Sequence, residues 1–278
     1  MPADATPLAS LLKGFSIEVT PRTLAQAGDL RALLPAGTTV FIAHIAGTPM
    51  AQMVQAAGAL RAQGFEPQPH IPARLLRDRA ELADWLARYR DAAGVRRALL
   101  LAGGVAAPAG CFADSMQLVE TGLFDAMDFA GLSFAGHPEG SPDIAPEALE
   151  AALRWKQALA QRTAAQVELV TQFAFEAAPI LSWAEQIAAA GIDLPLRVGL
   201  AGPAKLQTLL RYGLSCGVGA SLKVLQRRAG DLGRLLRPIT PDAVAADLAQ
   251  ALGRIAALHL FPLGGIAAAA EWARAARS

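Results

Sequence analysis

Glu18 is the first residue in this chain placed to do chemistry. It stands in F-S-I-E-V-T (Phe15 to Thr20), with apolar Ile17 and Val19 on either side. Burial disfavours the ionised form of a carboxyl, so a Glu in an apolar strand can keep a proton near neutrality and give it up as a general acid. A second candidate is Gln172, in Q-V-E-L-V-T-Q-F-A-F (Gln166 to Phe175), beside Phe173 and Phe175. An amide offers a paired donor and acceptor and the rings offer stacking area, which together fit the edge and face of a flat heterocycle. The plain alternative is a solvated Gln at a strand end beside two core Phe. His44, His70 and His137 each follow or end a strand-like segment, whereas His259 falls inside one. A single His at such a place is most often structural, but three on one rim would form a site. No H-x-H or H-E-x-x-H pattern is present, and Cys111 and Cys216 have no zinc spacing or disulfide framework, so no metal is expected.

The elements that must hold these residues alternate. Period-two or β-branched apolar runs predict strands at Phe15–Thr20, Thr38–Ala43, Glu66–Ile71, Arg97–Leu101, Asp128–Ala135, Val167–Thr171, Leu194–Leu200 and Ala257–Phe261. Helical spacing fills the gaps, at 24–34, 50–63, 75–93, 113–122, 146–161, 178–190, 204–215, 221–228 and 241–254, with a terminal helix last. Eight strands separated by helices predict an α/β fold, a single (β/α)8 TIM barrel spanning residues 1–278. A doubly wound sheet is the rival, but its Gly-rich phosphate turn after the first strand is missing. In a barrel, chemistry sits at the C-terminal strand ends, where Glu18, Thr20, His44, His70, His137, Glu139 and Gln172 fall.

Composition narrows the function classes. Hydrophobic residues are 53% and charged residues 18% of the chain, which excludes a disordered protein. A net charge of +1 gives no electrostatic case for nucleic acid or an anionic membrane. The cluster Arg227, Arg228, Arg234 and Arg237 reads as a solvated helix face, with an anionic ligand edge as the other option. His259, Pro262, Gly264 and Gly265 break the most apolar window, leaving it short of the ~20 uninterrupted residues a membrane span requires. Met1 to Leu12 has no basic-then-apolar leader, so a soluble cytoplasmic protein is expected.

With these residues in view, the chain resembles the methylenetetrahydrofolate reductase family over nearly its whole length. The motifs carrying the resemblance are F-S-I-E-V-T-P-R-T, A-G-H-P-E-G-S-P, V-T-Q-F-A-F, A-A-A-G-I-D-L-P-L-R-V-G-L-A-G-P and the closing L-H-L-F-P-L. The third and fourth are the more specific. The resemblance implies a barrel that reduces methylenetetrahydrofolate with NAD(P)H, using bound FAD. Under it, Glu18 is the general acid that opens the bridged folate, and Gln172 holds the pterin edge. Phe175 and Leu206 pack against folate or nicotinamide. His44, His70, Ala102, Gly103, Gly104 and His137 occupy the strand-end positions where it places the cofactor.

Departures from the family pattern are equally legible. Where the family carries Arg-Gly-Asp after the fourth strand, this chain has Ala102, Gly103 and Gly104, so both charges that would meet a flavin are gone. The second-strand motif differs, and Ser141 stands at a family His. FAD is therefore expected to bind weakly or not at all, with nicotinamide reducing the folate directly. Two other readings stay open: a tetrahydrofolate-linked methyl-transfer partner, and a non-catalytic folate-binding protein on the same barrel. Retention of Glu18 favours an enzyme. Whether the chain forms a homo-oligomer is also open.

Overall fold

The computed structural model describes residues 6–215, 238–251 and 253–277. Its strands are β1 Ser16–Val19, β2 Thr39–Ile42, β3 Glu66–Pro72, β4 Arg97–Leu101, β5 Gly131–Gly136, β6 Gln166–Ala174, β7 Leu196–Ala201 and β8 Ile255–Phe261. They neighbour one another in sequence order, and β8 pairs in parallel with β1, so the sheet closes into the expected (β/α)8 barrel. The helices are α1 Pro7–Leu12, α2 Pro21–Ala27, α3 Met50–Ala62, α4 Arg79–Ala93, α5 Ser115–Glu120, α6 Leu123–Ala126, α7 Pro146–Arg162, α8 Ala178–Ala189, α9 Leu206–Ser215, α10 Asp242–Ala249 and α11 Ile266–Ala275. None among the described residues is long and apolar enough to cross a membrane. Cys216, the Arg227 to Arg237 cluster and the helix expected at 221–228 lie outside the described residues.

Local chemistry accounts for the places where boundaries differ from expectation. α2 begins at Pro21, not Leu24, because Thr20 and Thr23 form a reciprocal capping box; it stops at Gly28, whose φ is 68°. α1 was not foreseen; the Thr6 side chain caps it by accepting from the Ala9 N–H. β5 starts at Gly131 because Asp128 adopts a φ of 53° and still belongs to the preceding turn. β6 continues to Ala174, so Gln172 lies within the strand and not past its end.

The chain divides into two compact units. One comprises Glu18–Ala135 with Ala151–Leu169. In it β2 to β5 run parallel, with Thr39 opposite Glu66, His70 opposite Leu99 and Arg97 opposite Gly131. α4 buries Leu82, Trp85, Leu86, Tyr89 and Ala93, the one-sided spacing of an amphipathic helix. Asp78 caps its start and left-handed Gly94 ends it. Each large side chain so buried contributes roughly 1.5–3 kcal/mol. A polar chain runs through the same unit: Gln68 Nε2 donates to Ser133 Oγ at 2.6 Å, and Ser133 Oγ donates to Glu168 Oε1 at 2.6 Å.

The other unit comprises Met1–Ile17, Gly136–Glu150 and Val170–Ser278. Here β8 pairs with both β7 and β1, with His259 opposite Gly199 and Ser16. Position 199 admits only glycine, since a Cβ there would come within 2.6 Å of the Thr171 and Gln172 carbonyl oxygens. The close approach lets the Gly199 N–H reach Thr171 Oγ1 at 2.9 Å.

Candidate active site

Alternation along β1 sends Ile17 and Val19 into the core, where they are 0% and 2% exposed, and turns Glu18 to the opposite face. The Glu18 side chain keeps 20% of its surface, and its Oε2 lies 3.3 Å from Nε2 of His70, itself 12% exposed. His70 sits in β3, with Phe41 of β2 edge-on at 6.3 Å and 81°. Its Nε2 is buried and makes no hydrogen bond, so the approach to Glu18 is a charge contact off the N–H···O line.

His44 follows β2, where the Thr48 N–H bonds the Ile45 carbonyl and folds the segment back. The His44 ring nitrogen Nε2 meets the Thr48 carbonyl oxygen at 3.1 Å. A carbonyl only accepts, so Nε2 carries the proton and Nδ1 is left as a buried lone pair without a hydrogen bond. Burial holds the His44 pKa below its ordinary value; the Thr48 bond opposes this and the neighbouring His70 adds to it. Trp85 of α4 lies against the ring, centroids 4.9 Å apart at 30°. Glu18, His70 and His44 are thus brought together, backed by an indole.

Ala102, Gly103 and Gly104 open the loop after β4. The Ala102 carbonyl accepts from the Arg74 N–H at 2.9 Å, and Gly103 takes a φ of 99° with the space for a Cβ only 3.1 Å from Pro72 Cβ. Arg74 is the cation nearest to hand, on the short helical turn Ala73–Leu75. Its guanidinium is committed to the loop backbone, donating to Ala113 O at 2.9 Å and Val105 O at 3.1 Å. No side-chain charge stands at 102 or 104 to meet a flavin, and Arg74 gives its Nε and Nη1 donors to loop carbonyls.

In the other unit, His137 follows β5 and its carbonyl accepts from the Gly140 N–H at 3.0 Å, making a turn. Gln172 is exposed, and its Oε1 accepts a long bond of 3.4 Å from the Phe173 N–H. Phe175 and Leu206 are 6% and 2% exposed and belong to one apolar cluster with Phe173, Ala201, Ala204 and Leu209. They pack as buried side chains of that cluster.

Three residues that the sequence reading passed over shape these surroundings. Trp85 was readable only as one apolar position of a helix. Arg74 gave no signal. Lys156, on α7, is 5% exposed and donates from Nζ to the Ala135 carbonyl at 3.0 Å. Burial draws its pKa down to about 8, opposed by the charge of Asp114. A lysine among Leu153, Trp155 and Leu159 could have been flagged by its helical position alone. Among the described residues, no group of three or more His, Cys, Asp or Glu could hold a metal ion. Set against models of known protein families, the chain matches none.

Proposed function

We propose that this protein reduces 5,10-methylenetetrahydrofolate to 5-methyltetrahydrofolate with a hydride from NAD(P)H. The observation that carries the reading is Glu18: a carboxyl from an apolar strand, left partly open, with an imidazole 3.3 Å away. In the reaction, Glu18 gives its proton to N10 of the bridged folate and the N10–methylene bond breaks, leaving an N5 iminium. The nicotinamide hydride adds to that methylene carbon. One proton and one hydride are consumed, and NAD(P)+ and the methylated folate leave. A folate-binding protein without turnover has no use for an acid paired with an imidazole.

The reading takes hydride straight from nicotinamide. Charge-assisted bonds to a flavin contribute roughly 1.5–3 kcal/mol each, and Ala102 and Gly104 supply none. Purified protein should be colourless; stoichiometric FAD after extensive dialysis would contradict this. The same reading makes it a soluble cytoplasmic enzyme. The test is Glu18→Gln, which keeps the shape but delivers no proton. General acid catalysis is typically worth ~10²–10⁴-fold, so turnover should fall by that factor with folate affinity little changed. Near-normal turnover would place the acid elsewhere.

A further inference from the structure

We propose that Arg74 is an anion-binding residue, taking a carboxylate or phosphate oxyanion of the ligand on the free edge of its guanidinium. Assigning that oxyanion to a substrate rests on the reductase reading; the anion site itself does not. Arg31, Arg61, Arg77, Arg88 and Arg90 each pair with an Asp or Glu. Arg74 is half-buried and pairs with no carboxylate among the described residues. Its partners are two carbonyl dipoles: Nε donates to Ala113 O at 2.9 Å and Nη1 to Val105 O at 3.1 Å, while Nη2 makes no hydrogen bond among the described residues. The acid of the same loop, Asp114, is committed to α5, where its Oδ1 accepts from the Met116 and Gln117 N–H groups. A cation drawn partly out of water without a counter-charge is costly, and a ligand's oxyanion supplies one.

The loop holds this guanidinium as a fixed fork. The Ala109 N–H bonds the Arg74 carbonyl at 2.9 Å, and the Cys111 N–H bonds the Arg77 carbonyl at 3.0 Å. A Cβ at position 110 would come within 1.9 Å of the Arg77 carbonyl oxygen, so only glycine lets the loop cross there. With Nε and Nη1 pinned, little side-chain freedom remains to be lost when an oxyanion arrives, and a planar guanidinium suits carboxylate and phosphate alike. No residue from Ala102 to Cys111 carries a charge of its own. Arg74 stands four residues past His70, on the turn that leaves β3 at its C-terminal end, where barrel ligands bind. Under the reductase reading the substrates bring oxyanions of two kinds, the phosphates of NAD(P)H and the glutamate carboxylates of the folate.

Two measurements on the full-length protein test it. The first is calorimetric titration with inorganic pyrophosphate and with glutarate. Wild type should bind at least one of them, and Arg74→Gln should bind it about tenfold or more weakly, the loss expected for a charge-assisted hydrogen bond. Ala106→Asp keeps both pinned donors and brings a carboxylate beside the Val105 carbonyl. It should weaken the probe likewise, with Ala106→Asn as wild type, and this pair decides should Arg74→Gln not fold. Binding of neither probe by wild type, unchanged affinity in Arg74→Gln or Ala106→Asp, or an equal loss in Ala106→Asn overturns the site. The second is steady-state kinetics of Ala106→Asp. A KM raised about tenfold for NAD(P)H alone assigns the oxyanion to the cofactor phosphates. A KM raised for the folate, and not for an analogue lacking glutamate, assigns it to the folate. Both KM values held, or a fall confined to kcat, overturns the assignment. Should wild type turn over no folate, the reductase reading fails instead, and the titrations alone decide Arg74.

Discussion

Two imidazoles lie against residues of β1, and the fold treats them in opposite ways. His259 is 1% exposed, and its Nδ1 meets Ser16 Oγ at 2.8 Å. Arg197 Nη1 donates to that same Oγ at 3.3 Å. A guanidinium only donates, so the Ser16 hydroxyl accepts from Arg197 while it shares a second hydrogen bond with the His259 ring. Each atom has its place and the ring is closed in. His70 Nε2 has the Glu18 carboxyl at 3.3 Å without an aligned hydrogen bond, and the side chain keeps 12% of its surface. A buried hydrogen-bonded network specifies structure, whereas a close pair of ionisable groups at a partly open place is available for chemistry. The useful signal is therefore how well a histidine is satisfied, more than where it falls in the sequence.

The comparison breaks most sharply at its two β1 partners. Glu18→Gln should cost ~10²–10⁴-fold in turnover and little stability, while Ser16→Ala should leave turnover alone. Equal effects on both would erase the distinction. Lys156 supplies a third case, a buried cation with one carbonyl partner. Its pKa falls from 10.5 to about 8 on folding, so between those values the unfolded chain holds a proton that the folded one has shed. Folding stability contributed by this group therefore rises with pH across that window, by up to roughly 3 kcal/mol. Chemical denaturation of wild type against Lys156→Met at pH 8 and 10.5 isolates it, and parallel curves would refute it.

Ser16→Ala comes next in size. It strips His259 and Arg197 of a shared partner in a buried place, at a cost of about 1–3 kcal/mol, read from the denaturation midpoint. His44→Gln is the smallest. Folding lowers the His44 pKa, so as pH falls below 6.5 the unfolded chain takes up a proton that the native ring resists, and stability drops. The variant should flatten that acid limb. An unchanged slope would show that His44 titrates alike in both states.

Much of the barrel was legible because alternation and helical spacing are local. Phe15, Ile17 and Val19 against Ser16, Glu18 and Thr20 announce a strand in six residues, and the Leu82, Trp85, Leu86, Tyr89 stripe announces a helix. The site was legible only as a list. Glu18, His44 and His70 could be placed at strand ends, but sequence carries no distance, so their meeting was not readable. Phe175 and Leu206 were legible as apolar residues, but their gathering with Phe173 into one cluster is set by tertiary packing that no local pattern shows. The end of β6 was placed too early, since the strand runs past Gln172 to Ala174. Arg74 left no trace, because a long cationic side chain reaches its carbonyl through space and not through any pattern along the chain.

The stacking of Trp85 on His44 has an optical consequence. An imidazolium in contact with an indole quenches its emission, whereas a neutral imidazole does so far less. The chain holds four tryptophans, and Trp85 lies against the His44 ring, centroids 4.9 Å apart and tilted by 30°. Its fluorescence is thus a native indicator of the charge on His44. Replacing the other three tryptophans by phenylalanine would leave that single emitter to follow, without any label, the protonation of His44 as pH falls.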